Sequence, residues 1–200
     1  SYGAASQTTF NAGGLEYDQL TIGVDGVRPI EAGLYEPLNL AVGVEFRRES
    51  FAVTAGEPAS YNRGTLTAAL GSQGFPGFQP SNAIDVDRHN WSVYADLEGK
   101  FTEQFSVGGA VRYEDYSDFG DTLTGKMSAR YDFTPHFALR GAISTGFKAP
   151  ALQQQYFSYT STNLTATTSG TALIEAGTFR VNSPTAIALG AKPLEPEIGR

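Results

Sequence analysis

The sequence predicts an all-β fold, an antiparallel up-and-down transmembrane β-barrel, of which these 200 residues supply a partial block of about six strands. Three observations lead there. Apolar and polar residues alternate with period two over long stretches, the signature of strands with two unlike faces. The alternating stretches run about ten residues or more, enough at a tilt near 45° to cross an apolar band of roughly 25 Å. Aromatic rings gather toward both ends of the apolar face, as they do at the two surfaces of a bilayer.

In chain order, the first strand is Glu16–Gly26, carried by Leu20, Ile22 and Val24 and weaker than the rest. Residues 38–48 set Leu38, Leu40, Val42, Val44 and Phe46 against Asn39, Gly43, Glu45 and Arg47. Residues 89–101 set Trp91, Val93, Ala95 and Leu97 against Ser92, Tyr94, Asp96 and Glu98. Residues 105–116 set Phe105, Val107, Val111 and Tyr113 against Ser106, Ala110, Arg112 and Glu114. Residues 123–133 oppose Leu123, Met127, Tyr131 and Phe133 to Thr124, Lys126, Ser128 and Arg130, and residues 137–147 oppose Phe137, Leu139 and Ile143 to Arg140 and Ser144.

A water-soluble β-sandwich also alternates, but its strands are usually five or six residues long and its rings sit centrally. Here Phe46, Trp91 and Tyr113 mark one end of the apolar face, and Phe101, Phe105, Tyr131, Phe133 and Phe137 the other. Connections are asymmetric too. Thr102-Glu103-Gln104 and Thr134-Pro135-His136 are tight turns, whereas residues 49–88 and 148–193 form long loops on the opposite side. Short turns on one side and long extracellular loops on the other is the outer-membrane arrangement.

The polar face then lines a lumen, where charges of both signs are at home. Its predicted members are Tyr94, Arg112, Glu114, Lys126, Arg130 and Arg140. A turn pairing Phe101 with Phe105 puts Tyr94 opposite Arg112, within reach of a cation and ring contact. By the same reasoning Glu114 faces Lys126 and Asp132 reaches Arg140.

Composition removes several functions. The net charge of −7 with no basic block argues against a general nucleic-acid binder. The absence of cysteine removes thiol chemistry, and two histidines make a histidine-rich metal site unlikely. The acidic run Arg112–Asp121, RYEDYSDFGD, superficially suggests a calcium loop. Alternation sends Glu114 and Asp115 to opposite faces, so the run reads instead as a strand end followed by a short turn, with Gly120 free to take a positive φ. No nucleophile, base and oxyanion set forms and no Gly-rich phosphate loop follows a strand; neither an enzyme activity, a cofactor nor a metal is expected. The chain opens at Ser1 without initiator methionine or apolar leader and reads as an internal fragment.

The run Val111–Pro150 resembles the barrel of TonB-dependent outer-membrane receptors. That family has an R-Y-x-x-Y-S-D-F-G strand end, here Arg112, Tyr113, Tyr116, Ser117, Asp118, Phe119 and Gly120. It continues with a K-x-x-x-R strand, here Lys126 and Arg130, and an L-R-G-x-x-x-x-G-F-[RK]-A-P strand, here Leu139, Arg140, Gly141 and Gly146 to Pro150. Pro37–Glu49 is similar to an upstream strand, and Leu194-Glu195-Pro196-Glu197 resembles the family's L-K-P-E with Glu195 in place of the basic residue. The resemblance implies a Gram-negative outer-membrane barrel of about 22 strands, closed by a plug domain that this chain does not contain. It implies active uptake of a scarce ligand, such as a ferric siderophore, cobalamin or an oligosaccharide. The partners would be the TonB-ExbB-ExbD complex acting through the plug, outer-membrane lipid and lipopolysaccharide, and the small-molecule ligand, with no nucleic acid. A passive porin-like barrel and a secreted carbohydrate-binding sandwich are the alternatives.

Ligand contacts are expected from aromatic residues of the loops and rim: Tyr61, Phe75, Phe78, Tyr116, Phe119 and Tyr156. The stretch Gly74-Phe75-Pro76-Gly77-Phe78 presents rings on a Gly and Pro scaffold, suited to stacking on a ligand or on each other. Tyr156, Phe157 and Tyr159 are placed to cap the rim, Lys148 to be structural or to face lipopolysaccharide, and the Ser and Thr rich run Ser158–Thr171 to be a solvated loop.

Overall fold

In the computed structural model, residues 6–62, 71–72, 75–168 and 170–199 are described. The elements in order are β1 (Gly13–Ile30), β2 (Leu38–Ala55), α1 (Pro58–Tyr61), a 3₁₀ turn (Pro80–Asn82), β3 (Ile84–Lys100), β4 (Phe105–Tyr116), β5 (Gly120–Thr134), β6 (Phe137–Ser144) and β7 (Gly146–Lys148). There follow α2 (Leu152–Tyr156), β8 (Tyr159–Thr167), β9 (Gly170–Thr178), α3 (Pro184–Ala188) and β10 (Glu197–Gly199). Strands β1 to β6 form one sheet in sequence order, so every strand pairs with its chain neighbour. The sheet is open, with β1 and β6 at its edges.

Four strands run further than alternation indicated, β5 by reaching from Gly120 to Thr134 instead of 123–133. β1 extends beyond 16–26 at both ends, β3 begins at Ile84 instead of His89, and β2 continues past Arg48 to Ala55. The polar run Arg47-Arg48-Glu49-Ser50 hid the continuation of β2, because apolar residues return only at Phe51 and Val53, both buried and on the other parity from Leu38 to Phe46. The connection predicted as 49–88 therefore shrinks to 56–83. The strand predicted at 137–147 is divided at Thr145, whose N–H donates to Gly125 O at 2.8 Å and whose Oγ1 accepts from Gly125 N at 2.9 Å. Beyond that point β7 pairs antiparallel with β10, Phe147 opposite Ile198. The Ser and Thr rich run is not an irregular loop: β8 and β9 pair from Tyr159 opposite Thr178 to Thr167 opposite Gly170.

Register decides the polar face. Tyr94 lies opposite Arg112, following the turn in which Phe101 N donates to Phe105 O at 2.8 Å. Two expected charge pairs do not form. Lys126 lies opposite Ala110, two rungs below Glu114, whose partner is Thr122. Arg140 lies opposite Arg130, the register that a turn pairing Phe133 with Phe137 implies, and Asp132, opposite Ala138, pairs with Arg130 on its own strand. The one shift in that hairpin, between Asp132 and Thr134, lies on the turn side of these pairs.

Contacts divide the chain into two compact units. One consists of residues 1–18, 49–87 and 151–194; the other of 19–48, 88–150 and 195–200. The first has a small apolar core of Phe51, Val53, Phe78 and Leu152, flanked by Ile84, Val86, Tyr156, Phe157 and Tyr159. The second is the main sheet wall. Its apolar face is bare, with Trp91, Val93, Val111, Leu123, Met127, Leu139 and Ile143 all exposed. Rings line both ends of that face: Phe46 and Trp91 have centroids 4.8 Å apart. At the other end a continuous row runs Phe101, Phe105, Tyr131, Phe133, Phe137, with centroids 4.8 to 6.4 Å apart.

Candidate functional site

The polar face of the sheet wall carries a network built rung by rung. Arg112 on β4 donates from Nη2 to Ser92 Oγ on β3 at 2.7 Å and to Glu45 Oε1 on β2 at 3.2 Å, while its Nε meets Glu114 Oε1 at 3.2 Å. Glu45 also accepts from Arg47 Nη2 at 3.0 Å, and Asn90 Nδ2 reaches Glu114 at 3.4 Å. Period-two alternation on three neighbouring strands brings these groups onto one face. Arg112 therefore spends its donors on carboxylates and a hydroxyl, not on the ring of Tyr94. Tyr94 instead crosses the bare backbone at Gly43, where an added Cβ would lie 2.4 Å from its ring.

Above this network one guanidinium is almost fully buried. Arg88, 4% exposed, donates from Nη1 to Pro150 O at 2.8 Å and lies 3.7 Å from Asp118 Oδ2. Its Cζ sits 5.7 Å from the ring centroids of both Tyr116 and Phe119, and Tyr116 in turn packs on Phe147 at 5.6 Å. The neighbouring turn is tied by Ser117 N donating to His89 O at 3.0 Å and His89 N donating to Ser117 Oγ at 3.1 Å. Gly120 closes it with φ +79°. The residues of the Y-S-D-F-G and G-F-K-A-P motifs thus converge on Arg88, which falls in the predicted loop 49–88, one residue before the predicted strand.

Lower on the same face lies a polar hollow lined by Glu98, Ser106, Gly108, Lys126, Arg130 and Arg140, among others. Arg130 forks onto Asp132, with Nη2 at 2.7 Å and Nε at 3.0 Å from Oδ1. The six residues expected to face the lumen thus share one face of the sheet, as two groups: Tyr94, Arg112 and Glu114 in the upper network, Lys126, Arg130 and Arg140 around the hollow.

In the other unit, the aromatic loop residues gather. Phe75 stacks on Tyr159 at 5.2 Å and 13°, and Phe78 meets Tyr159 and Phe157 edge-on at 5.7 and 6.3 Å. Tyr159 donates to Pro76 O at 3.1 Å, and burial pushes its phenol above the ordinary value of 10.0. Arg180 fastens the group by donating to Tyr156 O at 3.0 Å, Asn82 O at 2.7 Å and Ala83 O at 3.0 Å. Two polar atoms beside these rings in sequence, Gln155 Nε2 and Ser158 Oγ, are buried without a hydrogen-bond partner among the described residues.

The six aromatic residues expected to touch ligand therefore divide. Phe78 is in the small core and Tyr116 is buried beside Arg88. Phe75 is 48% exposed, and Tyr61, Phe119 and Tyr156 are half-buried. Gly74, in the predicted ring-bearing stretch, lies outside the described residues. Among the described residues no three His, Asp or Glu side chains converge as a metal site would require. Sequence reasoning missed Arg88 and Arg180, whose acceptors are backbone carbonyls distant in the chain.

A family model described as TonB-dependent receptor-like, β-barrel, matches residues 1–200. The vitamin B12 transporter BtuB of Vibrio cholerae is 31% identical over 81 residues, covering 40% of this chain and 13% of that protein. Among solved structures, the siderophore receptor PirA of Pseudomonas aeruginosa is similar with TM-score 0.54 and 18% identity, over 80% of this chain and 26% of that one. A mutant of the ferric enterobactin receptor PfeA from the same organism gives TM-score 0.53 and 16% identity over 73% and 20%. The chain thus spans a small part of each relative's length.

Proposed function

The chain belongs to the β-barrel family of TonB-dependent receptors, and from that premise we propose that it is one section of the wall of an outer-membrane receptor that takes up a scarce ligand with energy delivered through TonB, ExbB and ExbD. The observation that carries this reading is the two-faced sheet: an exposed aliphatic face with rings at both ends, and an opposite face holding Arg112, Glu45 and Glu114 in ion pairs. An apolar face bounded by rings fits a bilayer. A charged face fits a wet or protein-filled interior, where ion pairs keep their hydrogen bonds.

We assign ligand capture to the loop unit. Phe75, Tyr61 and Tyr156 offer ring surface, and Gln155 and Ser158 offer buried polar atoms that a bound molecule would satisfy. Rings with a few hydrogen-bonding groups suit a catecholate, a corrin or a sugar. The names of the relatives, a vitamin B12 transporter and siderophore receptors, favour cobalamin or a ferric siderophore within that range. No covalent chemistry is assigned to the chain.

The test is uptake in cells carrying the full-length gene. Labelled cyanocobalamin and a panel of labelled ferric siderophores are supplied to parent, gene-deleted and tonB-deleted strains. The expected result is one ligand whose accumulation disappears in both deletions and returns with the gene. Entry that needs the gene but is indifferent to TonB would instead make it a passive porin-like barrel.

A further inference from the structure

In the loop unit two polar atoms are sealed and unmet. Ser158, 7% exposed, holds its Oγ without a hydrogen-bond partner among the described residues, and Gln155 Nε2 is buried in the same condition. They stand at and just past the end of α2, with Tyr156 and Phe157 between them and Tyr159 next in the chain. A protein interior normally pairs such groups, because a buried donor left alone forfeits its bonds to water. The backbone here is already served, Phe157 N donating to Gln153 O at 3.0 Å, so the unmet need belongs to the two side chains.

The rings of this unit carry no positive charge with them. Tyr159 stacks on Phe75 and meets Phe78 edge-on, as Phe157 does, and among the described residues no cation stands over any of the four. Arg180 reaches the segment but is spent on the carbonyls of Tyr156, Asn82 and Ala83. By sequence the unit, residues 1–18, 49–87 and 151–194, holds seven Asp and Glu against three Lys and Arg, a net charge of −4. A polyanion would meet repulsion on approach and no counter-ion on arrival, and a buried unpaired charge costs far more than a buried unpaired dipole. An uncharged ligand meets neither obstacle. Gln155 Nε2 can only donate and Ser158 Oγ can donate, so carbonyl, ether or hydroxyl oxygens match them. Phe75, 48% exposed, supplies a flat apolar face.

We propose that the loop unit takes an uncharged, flat-faced ligand rich in carbonyl or hydroxyl oxygens, seated on Phe75 and hydrogen-bonded by Gln155 and Ser158, and that it excludes polyanionic ferric tris-catecholates. The proposal rests on the assignment of ligand capture to this unit and adds the charge of what is captured. Both donors are covered when the unit is empty, so the ligand enters by parting the bend that carries Tyr156 and Phe157. The empty unit then bears two unmet groups that the occupied one does not. Corrin amides, neutral hydroxamates and sugars share the required chemistry.

Binding to the purified full-length receptor tests this with cyanocobalamin, a neutral ferric trihydroxamate, a neutral oligosaccharide and a trianionic ferric tris-catecholate. The two iron complexes differ in charge and not in metal. One of the uncharged probes is expected to bind, with an affinity that does not fall from low to high salt, and the tris-catecholate is not; which uncharged probe binds separates corrin, hydroxamate and sugar. Ser158→Ala and Gln155→Met should each weaken that probe about fivefold, the loss of one hydrogen bond. Each should also raise the unfolding temperature of the empty receptor, since an apolar replacement has no bond to miss. Groups that merely hold the fold together would give the opposite shift. Binding of the tris-catecholate, binding of none of the uncharged probes, or an unfolding temperature that is unchanged or lower in both variants overturns the proposal. Uptake in parent and tonB-deleted strains is read in parallel: TonB-dependent entry of the tris-catecholate rejects the uncharged class alone, and entry of an uncharged probe that is indifferent to TonB rejects the transport reading alone.

Discussion

Arg88 is the residue on which the rim depends. Its guanidinium is out of water, and the Pro150 carbonyl, the Asp118 carboxylate and two ring faces compensate for that. Arg88→Met keeps the bulk and deletes the donors, leaving Pro150 O and Asp118 without them, and should cost about 3 kcal/mol. Arg88→Lys should recover little, because an ammonium cannot serve carbonyl and carboxylate as a fork does while stacked between rings. Both are measured as the temperature at which the full-length receptor loses its compact mobility on unboiled gels; a wild-type value for Arg88→Met would reject the assignment. Gly120 gives a cleaner contrast. A Cβ there meets nothing within 4 Å, yet φ is +79°. Gly120→Ala should therefore cost only the left-handed backbone penalty, about 1 kcal/mol. Gly120 was legible in the sequence because a turn glycine carries its own explanation. Arg88 was not, since it falls in the predicted loop 49–88, one residue short of the predicted strand, and its acceptor Pro150 lies 62 residues away.

At the scale of elements, the facing of β4 can be tested by neighbours at equal depth. Val111 is 46% exposed on the apolar face, whereas Ala110 lies between Asp96 and Lys126 on the polar face. Val111→Lys should cost about 2 to 4 kcal/mol of barrel stability near the midplane and Ala110→Lys much less, measured by urea unfolding of the full-length receptor in lipid. Equal costs would reverse the facing. The hairpin β8–β9 and the loop around Pro76 meet at Tyr159, whose burial disfavours the phenolate. Because the folded phenol is raised above its ordinary 10.0, its contribution is complete below that value and is lost as pH rises through the folded value. Alkaline titration followed by tyrosinate absorbance should therefore show a late-titrating tyrosine that vanishes in Tyr159→Phe; an unchanged curve would remove the effect. The β3–β4 register was legible because a tight turn fixed it and rings marked its ends. On β5–β6 a turn pairing Phe133 with Phe137 already sets Arg130 opposite Arg140, so the expected reach of Asp132 to Arg140 was diagonal, and Asp132 takes the arginine of its own strand instead. The hairpin β8–β9 was obscured because Ser and Thr side chains make an alternation with no apolar face.

For the whole molecule, the governing fact is an open sheet. β1 and β6 each present an edge of unpaired N–H and C=O groups, and in hydrocarbon every such group costs several kcal/mol unless paired. The apolar face that suits a bilayer cannot compensate, because insertion would carry both edges into the membrane with it. Burying exposed residues such as Val24, Leu123 and Ile143 returns about 25 cal/mol for each Å² of apolar surface, a few kcal/mol per side chain against a row of orphaned backbone groups along each edge. The 200 residues produced alone should therefore fail to span lipid. Refolded from urea into liposomes, they should remain trypsin-sensitive throughout and show no shift in mobility between unboiled and boiled samples, while the full-length receptor treated identically should show both protection and the shift. A protected span recovered from the isolated 200 residues would mean that the edges had found partners, by pairing β1 with β6 or by assembling copies edge to edge. Cross-linking at β1 and β6 would separate those two outcomes, and either would show that closure needs less of the chain than the open sheet implies.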